Sequence, residues 1–138
     1  MNWGAGNKNV RVLLDTHALL WWTLDDPKLS GKARSIIASF ESEIFVSAAS
    51  AWEIGTKVRL GKLPGAEAFA SEFPARVELL GFRELAISIE HGQRAGLLPG
   101  GHKDDPFDRM LIAQAQAENL PIVSNEKVFD AYRVRRIW

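Results

Sequence analysis

Val10-Arg11-Val12-Leu13-Leu14-Asp15-Thr16-His17 is the stretch on which the fold turns. Four of its first five residues are apolar, and the run stops abruptly on a carboxylate, the pattern of a short buried strand with a polar exit. Upstream, Met1 to Asn9 is rich in Gly and Asn and reads as a loose arm, leaving residues 10–138 as one domain. Downstream, Ala18 to Leu24 is helical but apolar almost all round. Asp25-Asp26-Pro27 breaks it, and Ser30 is placed to cap a second helix running to about Ser42.

Glu43 to Val46 reads as a strand, and Ser47 to Leu60 as a helix ended by Gly61-Lys62-Leu63-Pro64-Gly65. One further helix is expected over Ala66 to Leu79, a strand over Arg83 to Ile87, and a helix from a Ser88 cap to about Ala95. A Pro/Gly loop follows from Leu98 to Lys103. Asp105-Pro106 opens the clearest helix of the chain, to about Asn119, with short strands at Pro121 to Ser124 and Val134 to Trp138. Short apolar strands alternating with helices predict an α/β fold with a parallel sheet, because parallel strands need crossovers and those crossovers cover both faces.

The composition sets outer bounds. The 138 residues, 46% hydrophobic and 25% charged, make one ordinary globular domain. The absence of cysteine excludes thiol nucleophiles, thiolate zinc sites and iron–sulfur clusters, and fits a reducing compartment, so the cytoplasm is expected. Seventeen basic against seventeen acidic residues give no net field, so any nucleic-acid contact must come from local patches. The longest apolar run, Ala18 to Trp22, is far short of the ~20 residues that span a bilayer, and the polar start lacks a signal peptide's apolar stretch.

Ligands of open parallel sheets bind beyond the carboxyl ends of the strands, which directs attention to Asp15 and to Ser124-Asn125-Glu126. On position alone Asp15 is equally a helix N-cap. Asp105-Pro106-Phe107-Asp108 also has a capping explanation, with Asp105 as N-cap and Pro106 at the first helical position. Yet Asp108 shares a helix face with Ile112 and Ala115 and so turns toward the sheet. Glu53 lies between Trp52 and Ile54, and its plain reading is an exposed i,i+4 pair with Lys57. Were Asp15, Glu53, Asp108 and Glu126 to converge, their repulsion would require protonation or a cation. Oxygen-only ligands without cysteine or a histidine cluster suit Mg²⁺ or Mn²⁺ rather than zinc.

Leu13 to His17, Ser47 to Leu63 with its Trp52-Glu53-Ile54 centre, and Asp105 to Ala115 resemble, in order and spacing, a PIN domain of the VapC toxin type. The resemblance runs from Val10 to Trp138. It implies a three-layer α/β/α sandwich with a mainly parallel central sheet. It also implies a Mg²⁺- or Mn²⁺-dependent endoribonuclease acting on transfer RNA or other structured RNA, a cognate antitoxin, and a homodimer. Asp15 matches the family's first acid and Glu53 its second, and Asp108 matches the third because Ala115 stands at the alanine position that follows it. Asp105 is then a capping or outer residue.

The family usually shows Thr-x-Asp after its fourth strand, where this chain has Ser124-Asn125-Glu126; the longer carboxylate moves the oxygen by about 1.5 Å. The resemblance makes Asp15 and Asp108 direct metal ligands, Glu53 a ligand or an orienting group, and Glu126 a support. Ser124 and Ser47 are candidates to hydrogen-bond these acids. That departure at Glu126 keeps open a second reading, a PIN-like module that binds RNA or protein without cutting.

Other chemistries fit less well. A metal-independent ribonuclease would want a histidine pair, whereas His17, His91 and His102 fall in unrelated contexts and read as surface or capping residues. An aspartyl-phosphate phosphatase would need a second acid where His17 stands. Lys57, Arg59 and Lys62, and again Arg133, Arg135 and Arg136, are candidate phosphate contacts or simply solvated faces. Arg109 is read either as a substrate contact or as the partner of an acid. Trp21 and Trp22, on a helix apolar on every side, are expected either to leave an exposed interface for the antitoxin or a second copy or to be covered by the next helix.

Overall fold

The computed structural model describes residues 10–100 and 105–138. The arm read over residues 1–9, His102 and part of the Leu98 to Lys103 loop fall outside them. β1 (Val10–Leu14) is the central strand of a five-stranded sheet in the order β3-β2-β1-β4-β5, formed with β2 (Ser42–Ser47), β3 (Arg83–Leu85), β4 (Ile122–Val123) and β5 (Arg136–Ile137). Every pairing is parallel.

Side chains alternate across β1, and the core divides accordingly. Val12 and Leu14 join Ile44, Val46, Val123 and Ile137 on one face. There α1 (Thr16–Thr23), α2 (Gly31–Ala38), α3 (Ala48–Arg59), α4 (Glu67–Ser71) and α5 (Phe73–Leu79) supply Leu19, Ala33, Ile37, Ile54, Phe69, Phe73 and Val77. Leu13 turns the other way, toward Leu111, Ile112 and Ala115 of α7 (Pro106–Glu118), with Phe129 of a 3₁₀ turn (Lys127–Tyr132). The three-layer α/β/α sandwich follows from that alternation. α6 (Ile89–Leu97) packs beside α7.

The local signals act largely as expected. Ser30, Ser47 and Ser88 accept backbone N–H groups as N-caps, and Asn119 ends α7 in the left-handed conformation. Several boundaries differ. The helix read over Ala66 to Leu79 is two helices broken at Glu72, because Pro74 has no N–H to continue the ladder from α4. The second helix stops at Ala38, since Ser42 already pairs with Val10 in the sheet. The strands expected to span Pro121–Ser124 and Val134–Trp138 pair over two residues each.

After β1 the chain builds outward to β2 and β3, then returns to place β4 on the opposite side of β1. The gap between the carboxyl ends of β1 and β4 is therefore the switch point of the sheet. Leu14 pairs with Val123, and the Asp15 N–H donates to the Val123 carbonyl at 3.1 Å, so Asp15 and Ser124 leave the sheet side by side.

A buried amide ties the layers beneath that edge. Gln114 is fully buried; its Oε1 accepts from the Ser47 hydroxyl, and its Nε2 donates to the Ala86 carbonyl at 3.3 Å. The Gln114→Ala variant leaves the Ser47 hydroxyl without that acceptor beside a new void, and is expected to lower unfolding free energy by about 2–4 kcal/mol. Urea denaturation at pH 7 measures this; an unchanged midpoint would show that the amide braces nothing.

Candidate active site

Asp15, Thr16, His17, Glu53, Lys57, Asp105, Asp108 and Glu126 line one cleft of about 200 Å³ at the switch point. Each is brought there by a different local device. Asp15 both caps and faces the cleft: its Oδ1 accepts the Ala18 N–H at 2.7 Å, and it is only 3% exposed. Thr16 beneath it shares a buried hydrogen bond with Ser50 at 2.9 Å, which ties α1 to α3.

Glu53 reaches the cleft from α3. Its Oε2 accepts from Lys57 Nζ at 2.7 Å, so the i,i+4 pair exists, but the Glu53 side chain is 7% exposed. That overturns the expectation of a solvated pair, because the start of α7 closes over this face. Asp105 caps α7, taking the N–H groups of Phe107 and Asp108 at 2.8 and 3.0 Å. Asp108, relieved of capping by Asp105, directs its carboxylate into the cleft.

Ser124 and Ser47 part company. The Ser124 hydroxyl accepts the Glu126 N–H at 2.9 Å and bonds the Asp15 carboxylate, coupling the two acids. Ser47 instead donates to Gln114 and caps α3 through Ala49 N–H at 2.9 Å, so it supports the layer below and touches none of the acids.

Other residues stand where sequence reasoning did not put them. His17 belongs to the cleft, with Nδ1 3.5 Å from Glu126 Oε1; its place two residues after a strand-end acid was the available signal. His91 takes the capping role expected of it, completing the capping box at Ser88, but is buried, with its Nε2 2.9 Å from Glu118. Among the described residues Arg109 pairs with no acid and does not line the cleft: it donates to the carbonyls of Ala95 and Leu98, the open carbonyls at the end of α6.

Trp21 and Trp22 are half-buried against the core rather than exposed, with Trp21 stacked on His17 at 5.5 Å and tilted against Trp138 at 5.8 Å. Among the described residues the exposed tryptophan is Trp52, 61% accessible, set edge-on to Phe107 where α3 and α7 meet.

Crowding has a measurable electrostatic cost. Burial pushes Asp15 up to about 6, against the stabilising hydrogen bonds of Ser124 and Ala18. Burial, then the charges of Asp105, Glu126, Glu53 and Asp15, push Asp108 up to about 7. Two adjacent acids that hold protons near neutrality lack positive charge, with Lys57 committed to Glu53. Among the described residues no three acids or imidazoles already form a tight ligand shell. Carboxylate oxygens around a polar cleft with room for water are nonetheless the donor set of a hard divalent cation that keeps its waters, and Asp15, Asp108, Glu53 and Glu126 are placed to hold one.

The linkage has a definite sign. Asp108 binds its proton more tightly folded than unfolded, so its contribution to stability declines as pH rises from about 4 to about 7. In metal-free protein Asp108→Asn is expected to raise stability at pH 8 by about 1–2 kcal/mol, after allowance for solvent screening, and to change it little at pH 4. Equal urea midpoints for variant and parent at pH 8 would contradict this.

Comparison with known proteins places the geometry in a family. The family model for the PIN domain matches residues 12–134. Ribonuclease VapC16 of Mycobacterium tuberculosis (strain ATCC 25618 / H37Rv) is 41% identical over 69 residues, which is 47% of this chain and 49% of the relative. This chain therefore matches about half the length of that relative. Ribonuclease VapC22 of the same strain is 26% identical over 122 residues, covering 88% of this chain and 92% of the relative. A toxin–antitoxin complex from Klebsiella pneumoniae contains a chain that superimposes with a TM-score of 0.64 at 19% identity, over 92% of this chain and 96% of that one. With the matched model running over residues 12–134, across all four converging acids, this chain belongs to the PIN domain family.

Proposed function

We propose that this chain is a toxin endoribonuclease, hydrolysing RNA phosphodiester bonds with Mg²⁺ or Mn²⁺ and held inactive by a cognate antitoxin protein. The observation that carries the reading is the convergence of Asp15, Glu53, Asp108 and Glu126 on one cleft at the sheet's switch point. It is supported by two PIN-domain relatives named as ribonucleases and by a fold neighbour seen in a toxin–antitoxin complex.

When bound, the divalent cation supplies Lewis-acid polarisation of the phosphodiester and activation of the attacking water. Asp15 and Asp108 are the residues to hold it, with Glu53 and Glu126 as flanking ligands or orienting groups. The protein's own part is positional. The Ala18 N–H and the Ser124 hydroxyl fix the Asp15 carboxylate, and the Asp105 cap fixes the turn that carries Asp108. Lys57 holds the Glu53 carboxylate through Oε2. Ser124 links Glu126 to Asp15, so the Glu126 departure keeps a carboxylate at the fourth position.

No side chain is required as nucleophile. The substrate class is transfer RNA or other structured RNA, and the active form is a homodimer in the cytoplasm. Among the described residues no helix is long and apolar enough to cross a membrane.

The test is cleavage of a total small-RNA pool by antitoxin-free protein, with and without Mg²⁺ or Mn²⁺. Asp15→Asn and Asp108→Asn are expected to lose about 100-fold or more in rate, beyond the 10–100-fold typical of outer residues around a metal. Folded protein that binds RNA but cuts none of it with either metal would assign the chain to the non-cleaving module instead.

A further inference from the structure

Another cleft lies at the opposite edge of the sheet. It has a volume of about 640 Å³ and is lined by Arg94, Gln116, Asn119, Arg133 and Arg135 beside the entry to β4 and β5. Three arginines from two separate segments line it, and no carboxylate is among its lining residues. Arg94 shares its charge with Glu90 at 3.3 Å. Arg133 and Arg135 are exposed and, among the described residues, make no ion pair, unlike Arg136, which is bound to Asp130 at 2.9 Å.

The backbone here is specially held. Arg133 occupies the left-handed region at φ 60°, which long side chains seldom adopt. The turn is fixed by Gln116, whose Nε2 donates to the Tyr132 carbonyl at 2.7 Å, while Val134 is buried between the two arginines. A strained residue pinned by a residue of the same cleft, with its charge left unpaired, fits an external anion better than internal packing.

We infer that this arginine cleft binds backbone phosphates of RNA. The ligand class rests on the ribonuclease reading above, but the site is separate from the acids. Asp108 and Asn119 are eleven residues apart on α7, which puts the two clefts roughly 16 Å apart along the helix. A second groove, of about 360 Å³ and sharing Arg94 and Gln116, continues along α6 past Glu90 to the apolar Leu97, Leu98 and Pro99. Arginines on two separate segments of the first cleft suit an extended polyanion better than a small phosphorylated molecule. Guanidinium contacts to phosphate would set the register of a structured RNA without reading its sequence.

The test measures binding of a fluorescein-labelled 20-nucleotide RNA hairpin in EDTA across a salt series. It compares the parent chain with Arg133→Asn/Arg135→Gln, asparagine being chosen because it tolerates the left-handed backbone. The expected result is binding weaker on the order of ten-fold at 0.1 M salt and a log–log salt slope smaller by roughly 1.4, two phosphate contacts at ~0.7 each. A double lysine variant should restore most of both. Urea midpoints confirm that the variants are folded.

Unchanged affinity and slope would overturn the inference. So would shifts of the arginine Nε–H NMR signals by inorganic tripolyphosphate with hairpin affinity intact, which would assign the cleft to a small phosphorylated ligand. Parallel cleavage in Mg²⁺ separates the two readings: arginine-dependent binding without any cutting by the parent chain would sink the nuclease reading and leave this one standing.

Discussion

Repulsion among carboxylates governs this molecule. Asp15, Glu53, Asp105, Asp108 and Glu126 are delivered to one small cleft by two helix starts, one helix face and one strand exit, and nothing about those elements individually favours the gathering. The cost is visible in Asp15 and Asp108, both held well above the usual carboxylate range. A fold that sustains such a cost must be over-determined elsewhere. Here the buried Gln114, the Thr16–Ser50 bond and the close packing of both faces of the sheet supply that determination. Local strain tolerated by a rigid surround is the usual mark of a site built for a ligand that relieves it.

Only positive charge or added protons can relieve this repulsion. Lys57 is internal and permanent, committed to Glu53. The proposed divalent cation would be external and would match the oxygen donors that remain. This division explains why an electrostatically poor arrangement can persist in a metal-free chain: part of the field is already compensated, and protons on the two buried acids compensate part of the rest.

The sequence was most readable where one short segment carries its own explanation. Val10 to Asp15 announces a buried strand and a polar exit, and Asp105-Pro106 announces a helix start, because capping and apolar periodicity are local properties. The α/β layering followed from their alternation. What stayed hidden depends on contacts between distant segments. The burial of Glu53 is set by α7 packing across α3, and the covering of Trp21 by Trp138 from the far end of the chain. Gln114 reads as an ordinary polar helix residue until Ser47 and Ala86 are seen around it. Arg109 is similar, since its true partners are carbonyl groups, which leave no trace in side-chain chemistry.

Helix α7 gives the whole chain an electrical polarity that its composition conceals. Acids cluster at its amino end and arginines around its carboxyl end, each beside the end of the helix dipole of opposite sign. A chain with a formal net charge of zero thus separates acids from arginines along one helix. A polyanion diffusing toward it experiences a torque rather than a pull, and meets the arginine edge first with the acidic edge turned away. Orientation on encounter is set before contact, and ionic strength alters how well the molecules are aligned as much as how tightly they hold.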